Sequence, residues 1–203
     1  FLLSGTPLFD NIINKAKEKN IRIMHSWGMT ETNGRLNNFN QNNIKFLENN
    51  ELLTKLKLID KDSKEILTNN NNGELLFHNR VCMDGYYKNQ QETNETIING
   101  WIHTGDIFVR NNDEKYKIVD RKEDIINSKG EDITTFEIEN LLLNHKNVSD
   151  CAVIGISDKK YGEVPCAFIV KRKNVTPDEI IKYCKNNMET LKCPKKIVFL
   201  PEI

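Results

Sequence analysis

Between Leu56 and Val119 lie five short alternating or apolar segments: Leu56-Lys57-Leu58-Ile59, Glu74-Leu75-Leu76-Phe77, Trp101-Ile102, Ile107-Phe108-Val109 and Tyr116-Lys117-Ile118-Val119. Asp, Asn and Gly turn signals separate them, a pattern that predicts a small antiparallel β unit. The flanking regions follow a different period. Asp10-Asn11-Ile12-Ile13-Asn14-Lys15-Ala16 is apolar at 12, 13 and 16, which is helix spacing, and Asn20 is placed to end that helix. Ile21-Arg22-Ile23-Met24 then reads as a short strand running into a loop at Trp27-Gly28. With Phe1-Leu2-Leu3 ahead of the helix, the order is strand, helix, strand, a parallel βαβ piece. Opening on an apolar run without a methionine, the chain reads as a fragment.

Composition shifts at Asp120. Thr134-Thr135-Phe136-Glu137 has capping-box spacing, and Ile138, Leu141 and Leu142 supply the buried face of the helix it would start. Cys151–Gly155 and Ala167–Val170 read as strands. Thr176-Pro177-Asp178-Glu179 repeats the capping-box spacing with Pro at the first helical position, and Ile180, Ile181, Cys184 and Met188 follow at helical intervals. A last strand is expected at Ile197–Leu200. Residues 124–203 thus form a compact α+β module, with the junction at 120–123. The Asn-rich stretches, Asn33 to Asn50 and Asn69 to Asn72, are too polar to offset their ordering entropy and are expected to be mobile loop insertions.

Charge excludes some partners. Residues 1–119 carry 15 basic and 15 acidic side chains and residues 120–203 carry 14 and 14, so neither part has a basic footprint for nucleic acid or an anionic membrane. No apolar run approaches the roughly 18 residues of a membrane span, and no transmembrane segment is expected. The five cysteines are scattered and never form C-x-x-C, which argues against a disulfide framework or a zinc cluster. The expected location is the cytoplasm or another reducing intracellular compartment. His25, His78, His103 and His145 are too dispersed for a metal site; His25-Ser26 alone stays open as a functional pair.

Three strings could carry chemistry. Trp27-Gly28-Met29-Thr30-Glu31 lies in the loop after a parallel strand, where open α/β sheets place their ligands. An aromatic face can stack on a base, Gly28 lets backbone come close, Thr30 offers a hydroxyl to a phosphate, and Glu31 offers a hard oxygen to Mg²⁺. The same string also fits a strand-to-loop turn with a buried Trp. His103-Thr104-Gly105-Asp106 places a carboxylate just after a tight glycine turn, where it could accept ribose hydroxyls, or it is an ordinary turn. Asp120-Arg121-Lys122-Glu123-Asp124 is either functional or a solvated charged face.

Taken in order, Ser4-Gly5-Thr6-Pro7-Leu8, Trp27-Gly28-Met29-Thr30-Glu31, Gly73-Glu74-Leu75, Met83-Asp84-Gly85-Tyr86-Tyr87, Gly100-Trp101-Ile102-His103-Thr104-Gly105-Asp106, Asp120-Arg121-Lys122-Glu123-Asp124 and Gly130…Glu137-Ile138-Glu139 resemble the motifs of the adenylate-forming (AMP-binding) superfamily. The resemblance runs from residue 4 to the end, apart from the Asn-rich stretches. Gly-Trp-Ile-His-Thr-Gly-Asp, the segment Val153–Pro165 and an acidic residue at 123 resemble its acyl-CoA synthetase branch.

The resemblance implies an α/β plus α+β architecture. Residues 1–119 would be the end of a large N-terminal α/β domain with a small β subdomain, 120–123 a hinge, and 124–203 a small mobile α+β C-terminal domain. It implies an ATP-dependent acid–thiol ligase that joins a small carboxylic acid, fatty or aryl, to AMP and passes the acyl group to CoA. ATP or AMP, Mg²⁺ and CoA are the implied ligands. Gly5, Thr6 and Pro7 would line one face of the adenine and Trp27 the other, with Gly28 and Met29 beside them. Thr30 would bond the α-phosphate and Glu31 hold Mg²⁺, these two being the catalytic pair. Asp106, aided by Arg121, would take the ribose hydroxyls, Glu123 would be the hinge, and Lys129 and Gly130 would approach the pantetheine arm of CoA.

The sequence departs from the family pattern at Thr135, commonly Pro, at Asn127, and at the polar Asn33–Asn50 stretch that replaces a Gly-x-x-Gly-x-Pro loop. The family's phosphate loop and its catalytic Lys fall outside these 203 residues, so the isolated piece is expected to form acyl-adenylate poorly. A carrier-protein-loading adenylation enzyme and a non-catalytic nucleotide- or CoA-binding module are the alternatives.

Overall fold

The computed structural model describes residues 1–5, 8–35, 37–40, 43–46, 55–78, 82–112 and 116–203, with 35, 37–40 and 43–46 described by their backbone alone. Thr6 and Pro7, both expected to line the adenine, lie outside the described residues. The chain groups into two units, Phe1–Leu8 with Ala16–Lys122 and Phe9–Lys15 with Glu123–Ile203. Among the described residues no helix is long and apolar enough to cross a membrane.

In the first unit β1 (Leu2–Ser4) and β2 (Met24–Ser26) pair in parallel, Leu2 opposite Met24 and Ser4 opposite Ser26, with α1 (Asp10–Glu18) between them in the chain. The strand, helix, strand order is as expected, but the second strand starts three residues later than the apolar pattern indicates. The reason is local: Asn20 takes a left-handed conformation (φ 53°), and the Asn20 and Ile21 amides donate to Lys17 and Ala16. This is a Schellman cap, and it draws Ile21 into the helix end instead of the strand. After Trp27 come β3 (Gly28–Met29) and β4 (Gly34–Arg35), an antiparallel pair around a 3₁₀ turn at Thr30–Thr32.

The predicted β unit exists and is larger than the apolar runs imply. It comprises β5 (Asn37–Asn40), β6 (Asn43–Phe46), β7 (Lys55–Ile59), β8 (Asn72–His78), β9 (Ile97–Ile98), β10 (Trp101–Arg110) and β11 (Tyr116–Arg121), with the helix α2 (Gln90–Thr96) before β9. The order is β5-β6-β11-β10-β8-β7, and β9 pairs with β10. Two expectations are corrected here. Part of the Asn33–Asn50 stretch is strand, Asn37 pairing with Phe46 and Asn40 with Asn43, because backbone ladders do not need apolar side chains. In the second stretch, Asn70 donates its amide to the Arg110 carbonyl while Asn69 accepts from the Arg110 guanidinium, so these asparagines are turn residues tied to β10.

The segment His103–Asp106, read from sequence as a tight turn, is instead the middle of one ten-residue strand. His103 pairs with Leu76 and Ile107 with Glu74, so residues 104–106 bulge opposite Leu75. Gly105, at φ 68°, supplies the backbone conformation, and Thr104 Oγ1 donates to the Leu75 carbonyl at 2.7 Å to pin the bulge. Trp27, Leu58, Leu75 and Phe108 form the buried cluster beneath.

In the second unit β12 (Ile126–Ser128) and β13 (Glu131–Ile133) form a hairpin, followed by α3 (Thr135–Leu143). The long hairpin of β14 (Val148–Asp158) and β15 (Gly162–Lys171) comes next, then α4 (Pro177–Asn187) and β16 (Lys196–Leu200), which runs parallel to β15. Ile126, Ile133, Ile138, Leu142, Val148, Ile169, Ile180 and Cys184 make its core. Phe9–Lys15 belongs here through the Phe9 ring, stacked on Phe136 at 4.9 Å, and through Asp10, which accepts from Asn140 at 2.7 Å.

The two capping-box strings have different fates. Thr176 accepts from the Glu179 amide at 3.3 Å and Glu179 accepts from the Thr176 amide at 2.8 Å, the reciprocal pair that starts α4. Thr134 occupies the N-cap of α3 but makes no side-chain cap bond. Glu137, its expected partner, bonds Lys192 Nζ at 2.8 Å instead.

Candidate functional site

The parallel register of β1 and β2 leads Gly5 and Trp27 out of the same, carboxyl ends of neighbouring strands, the end at which open α/β sheets bind ligands. Gly5 has φ 81°, with open space where a Cβ would stand. Opposite the preceding Ser4, the Ser26 hydroxyl is buried with no hydrogen-bond partner among the described residues. Trp27 is not the open platform expected for a base. It is 6% exposed, sits in the apolar cluster and meets Phe108 edge to face at 5.6 Å, so little of its ring surface is left for stacking. Its polar edge has the defined task, because Nε1 donates to Asp106 Oδ2 at 2.6 Å.

Asp106 follows from the bulge. Alternation along β10 turns Ile102, Thr104, Asp106 and Phe108 inward, which leaves a carboxylate 6% exposed. A buried charge needs partners. Trp27 bonds one oxygen, Arg121 Nε lies 3.2 Å from the other, and the Asp106 amide donates to Thr104 Oγ1 at 3.2 Å. Arg121 stands opposite Asp106 in the β10–β11 ladder, so strand register brings the two together. Trp27, Asp106 and Arg121, three of the sequence-predicted residues, therefore meet.

Thr30 and Glu31, three and four residues after Trp27, occupy the 3₁₀ turn. Thr30 is exposed. Buried Thr32 holds the turn, its Oγ1 accepting from the Met29 amide at 3.3 Å and bonding the Met29 carbonyl at 3.1 Å. The Glu31 carboxylate accepts a hydrogen bond from the Tyr86 hydroxyl, and its carbonyl accepts from the Met83 amide at 3.0 Å. Burial, and then the bond to Glu31, push the Tyr86 hydroxyl above its ordinary pKa, so it stays a donor. The Tyr86 amide is fixed in turn on Thr93 of α2 at 2.9 Å.

Glu123 lies exposed in a 3₁₀ turn at Lys122–Asp124, where the longer segment of the second unit starts. In that unit Lys129 and Gly130 form the β12–β13 turn, with φ 54° and 82°. The Lys129 amide donates to the Tyr161 carbonyl at 2.8 Å and its ammonium lies 4.6 Å from the Tyr161 ring. Asn127, the departure from the family pattern, donates its amide N–H to Glu163 at 3.0 Å and its side chain to Asp132 at 3.0 Å.

Sequence reasoning assigned no role to Thr32, Tyr86 or Glu74. Tyr86 and Glu74 stand in strings that carried the family resemblance, which was the one available signal. Spacing could not expose them, since Tyr86 is 55 residues from Glu31 and Glu74 is 31 from Gly105.

A family model described as the AMP-binding enzyme C-terminal domain matches residues 137–203. The 2-succinylbenzoate–CoA ligase of Bacillus cytotoxicus is 34% identical over 213 aligned residues, which take in all of this chain and 42% of that protein. Among solved structures, the o-succinylbenzoate CoA synthetase MenE of Bacillus subtilis with its acyl-adenylate intermediate superimposes with a TM-score of 0.84 at 28% identity, covering 100% of this chain and 42% of its own. The same enzyme with ATP and a magnesium ion gives 0.81 at 29% identity, over 98% and 42%. The chain thus spans under half the length of the relatives it matches. The family model and these relatives agree: the chain belongs to the adenylate-forming, AMP-binding superfamily.

Proposed function

We propose that this chain is part of an ATP-dependent CoA ligase that activates an aryl acid of the 2-succinylbenzoate kind. Residues 1–119 would close the large AMP-binding domain, 120–123 would be the hinge with Glu123 as pivot, and 124–203 would be the mobile domain. The observation that carries this reading is the Asp106 carboxylate, nearly buried and held at both oxygens, on a chain that aligns throughout its length with CoA ligases. The names of those relatives favour an aryl acid over the fatty acid that sequence left open.

The chemical problem is charge, because a carboxylate must approach an anionic α-phosphate. Fixed donors offset the repulsion. Thr30 offers the phosphate a hydroxyl from an exposed turn. Glu31 has the hard carboxylate oxygen that Mg²⁺ takes, and Tyr86 holds that carboxylate in place. When bound, the ion would supply positive charge at the phosphates. Asp106 accepts the ribose hydroxyls and keeps its orientation through Trp27 and Arg121, so Trp27 serves the nucleotide by orienting a carboxylate. Gly5 lets backbone come close to the base. After adenylate formation a torsion change at Glu123 would bring Lys129 and Gly130 to the thiol arm of CoA.

The test is AMP release by the full-length protein across a panel of acids, 2-succinylbenzoate included, with and without CoA. Release that needs both an aryl acid and CoA is expected. Release with a carrier-protein thiol in place of CoA, or nucleotide binding with no release for any acid, would contradict it.

A further inference from the structure

Glu74 is a buried carboxylate that the proposed chemistry does not use. It sits in the middle of β8, 5% exposed, in the Gly73-Glu74-Leu75 string. One oxygen accepts from the Gly105 amide at 3.2 Å and lies 3.5 Å from His103 Nδ1. The other accepts from Lys122 Nζ at 2.8 Å. A carboxylate buried in a sheet costs stability unless it is paired, and a hydrophobic side chain there would pack without that cost. Its two ends meet two functional elements: the bulge that aims Asp106, and the last residue of the first unit.

We infer that Glu74 is a positioning residue which, through Gly105 and Lys122, ties the Asp106 bulge to the start of the hinge. Resting on the hinge reading above, the inference adds a tether to it. β11 holds the backbone through Arg121, and the Lys122 side chain extends that hold by one residue, so torsion change is confined to Glu123 and beyond. The tether also couples the two elements. Releasing Lys122 leaves Glu74 with a buried charge that falls on the Gly105 amide and His103, and so disturbs the bulge.

The experiment uses the full-length protein with Glu74→Gln, which keeps an acceptor for the Gly105 amide and removes the ion pair, and with Lys122→Met, which changes a side chain that is 62% exposed and spares the interior. Native-state trypsin cleavage after Arg121, timed by mass spectrometry, reports release of the tether independently of activity. Adenylate formation and thioester formation are measured separately. Both variants are expected to be cut about fivefold faster after Arg121, with cleavage at sites outside 121–122 unchanged. The ratio of the two half-reaction rates should shift by about threefold or more, and Lys122→Arg, which keeps the charge opposite Glu74, should match the wild type in both. Cleavage within twofold of wild type, cleavage rising equally at all sites, or half-reactions falling in step would overturn the inference. Should the wild type release no AMP with any acid, the functional reading fails, while cleavage still decides the tether.

Discussion

The two units bury different chemistry. The interior of the second is mainly aliphatic side chains and cysteines, with Ile138, Leu142, Val148, Ile169 and Ile180 fully enclosed, and the polar side chains it buries, Ser128, Thr134 and Thr135, are uncharged. The first encloses Glu74, Asp106, Asp120, Thr104 and Thr32 beside its apolar cluster. Burial of apolar area stabilises at about 25 cal/mol per Å², whereas buried carboxylates at best offset their own desolvation. The contrast separates stability from recognition: the second unit is built to hold its shape, and the first gives up stability to fix acceptors in place.

Truncating the apolar core should have the largest effect. Leu142→Ala is expected to cost about 2–5 kcal/mol in urea unfolding and to leave nucleotide affinity of the folded protein unchanged. Asp106→Asn should do the reverse, keeping an acceptor for Trp27 and shifting stability by under about 1 kcal/mol while ATP affinity falls by about 10- to 100-fold. If Asp106→Asn destabilised the protein as much as Leu142→Ala, the separation would collapse.

Smaller changes sharpen the comparison inside the second unit. Thr176→Ala should cost about 1 kcal/mol, and Thr134→Ala distinctly less, because only the first of these hydroxyls makes a cap bond. Two equal losses would show that the cap geometry does not matter. The smallest effect is on pH. The backbone amide of Thr176, and then its hydroxyl, hold the Glu179 carboxyl below its ordinary pKa. A carboxylate lowered on folding contributes stability above its unfolded pKa of about 4.3 and loses it as pH falls through the folded value. The stability gap between wild type and Glu179→Gln should therefore be full at neutral pH and close in acid. A gap independent of pH would contradict the assigned partners.

Much of the fold was legible where one period or one cap decides it. The alternating runs from Leu56 to Val119 gave the β unit, and Thr176-Pro177-Asp178-Glu179 gave α4, because these signals act within a few residues. Identical local text misled where distant partners choose. Thr134…Glu137 has the same spacing as Thr176…Glu179, yet Lys192, 55 residues from Glu137, captures the carboxylate. Thr104-Gly105-Asp106 is as good a turn as a bulge until Leu75 and Glu74 pair against it. Trp27 could equally face a base or a core, and Phe108 and Asp106 decide for the core. Of the candidate site, Asp106, Arg121 and Glu31 were singled out through ordered family motifs. Their supports Tyr86, Thr32 and Glu74 act through tertiary contacts that no spacing announces.

The central claim is that Asp106, oriented by Trp27 and Arg121, reads the ribose of ATP. Its most direct test compares the affinity of the full-length protein for ATP, 2′-deoxy-ATP and 3′-deoxy-ATP, before and after Asp106→Asn. The wild type should prefer ATP by about tenfold or more over at least one deoxy analogue, and the variant should lose that preference. An Asp106→Asn variant that discriminates as sharply as the wild type would show that the ribose is read elsewhere.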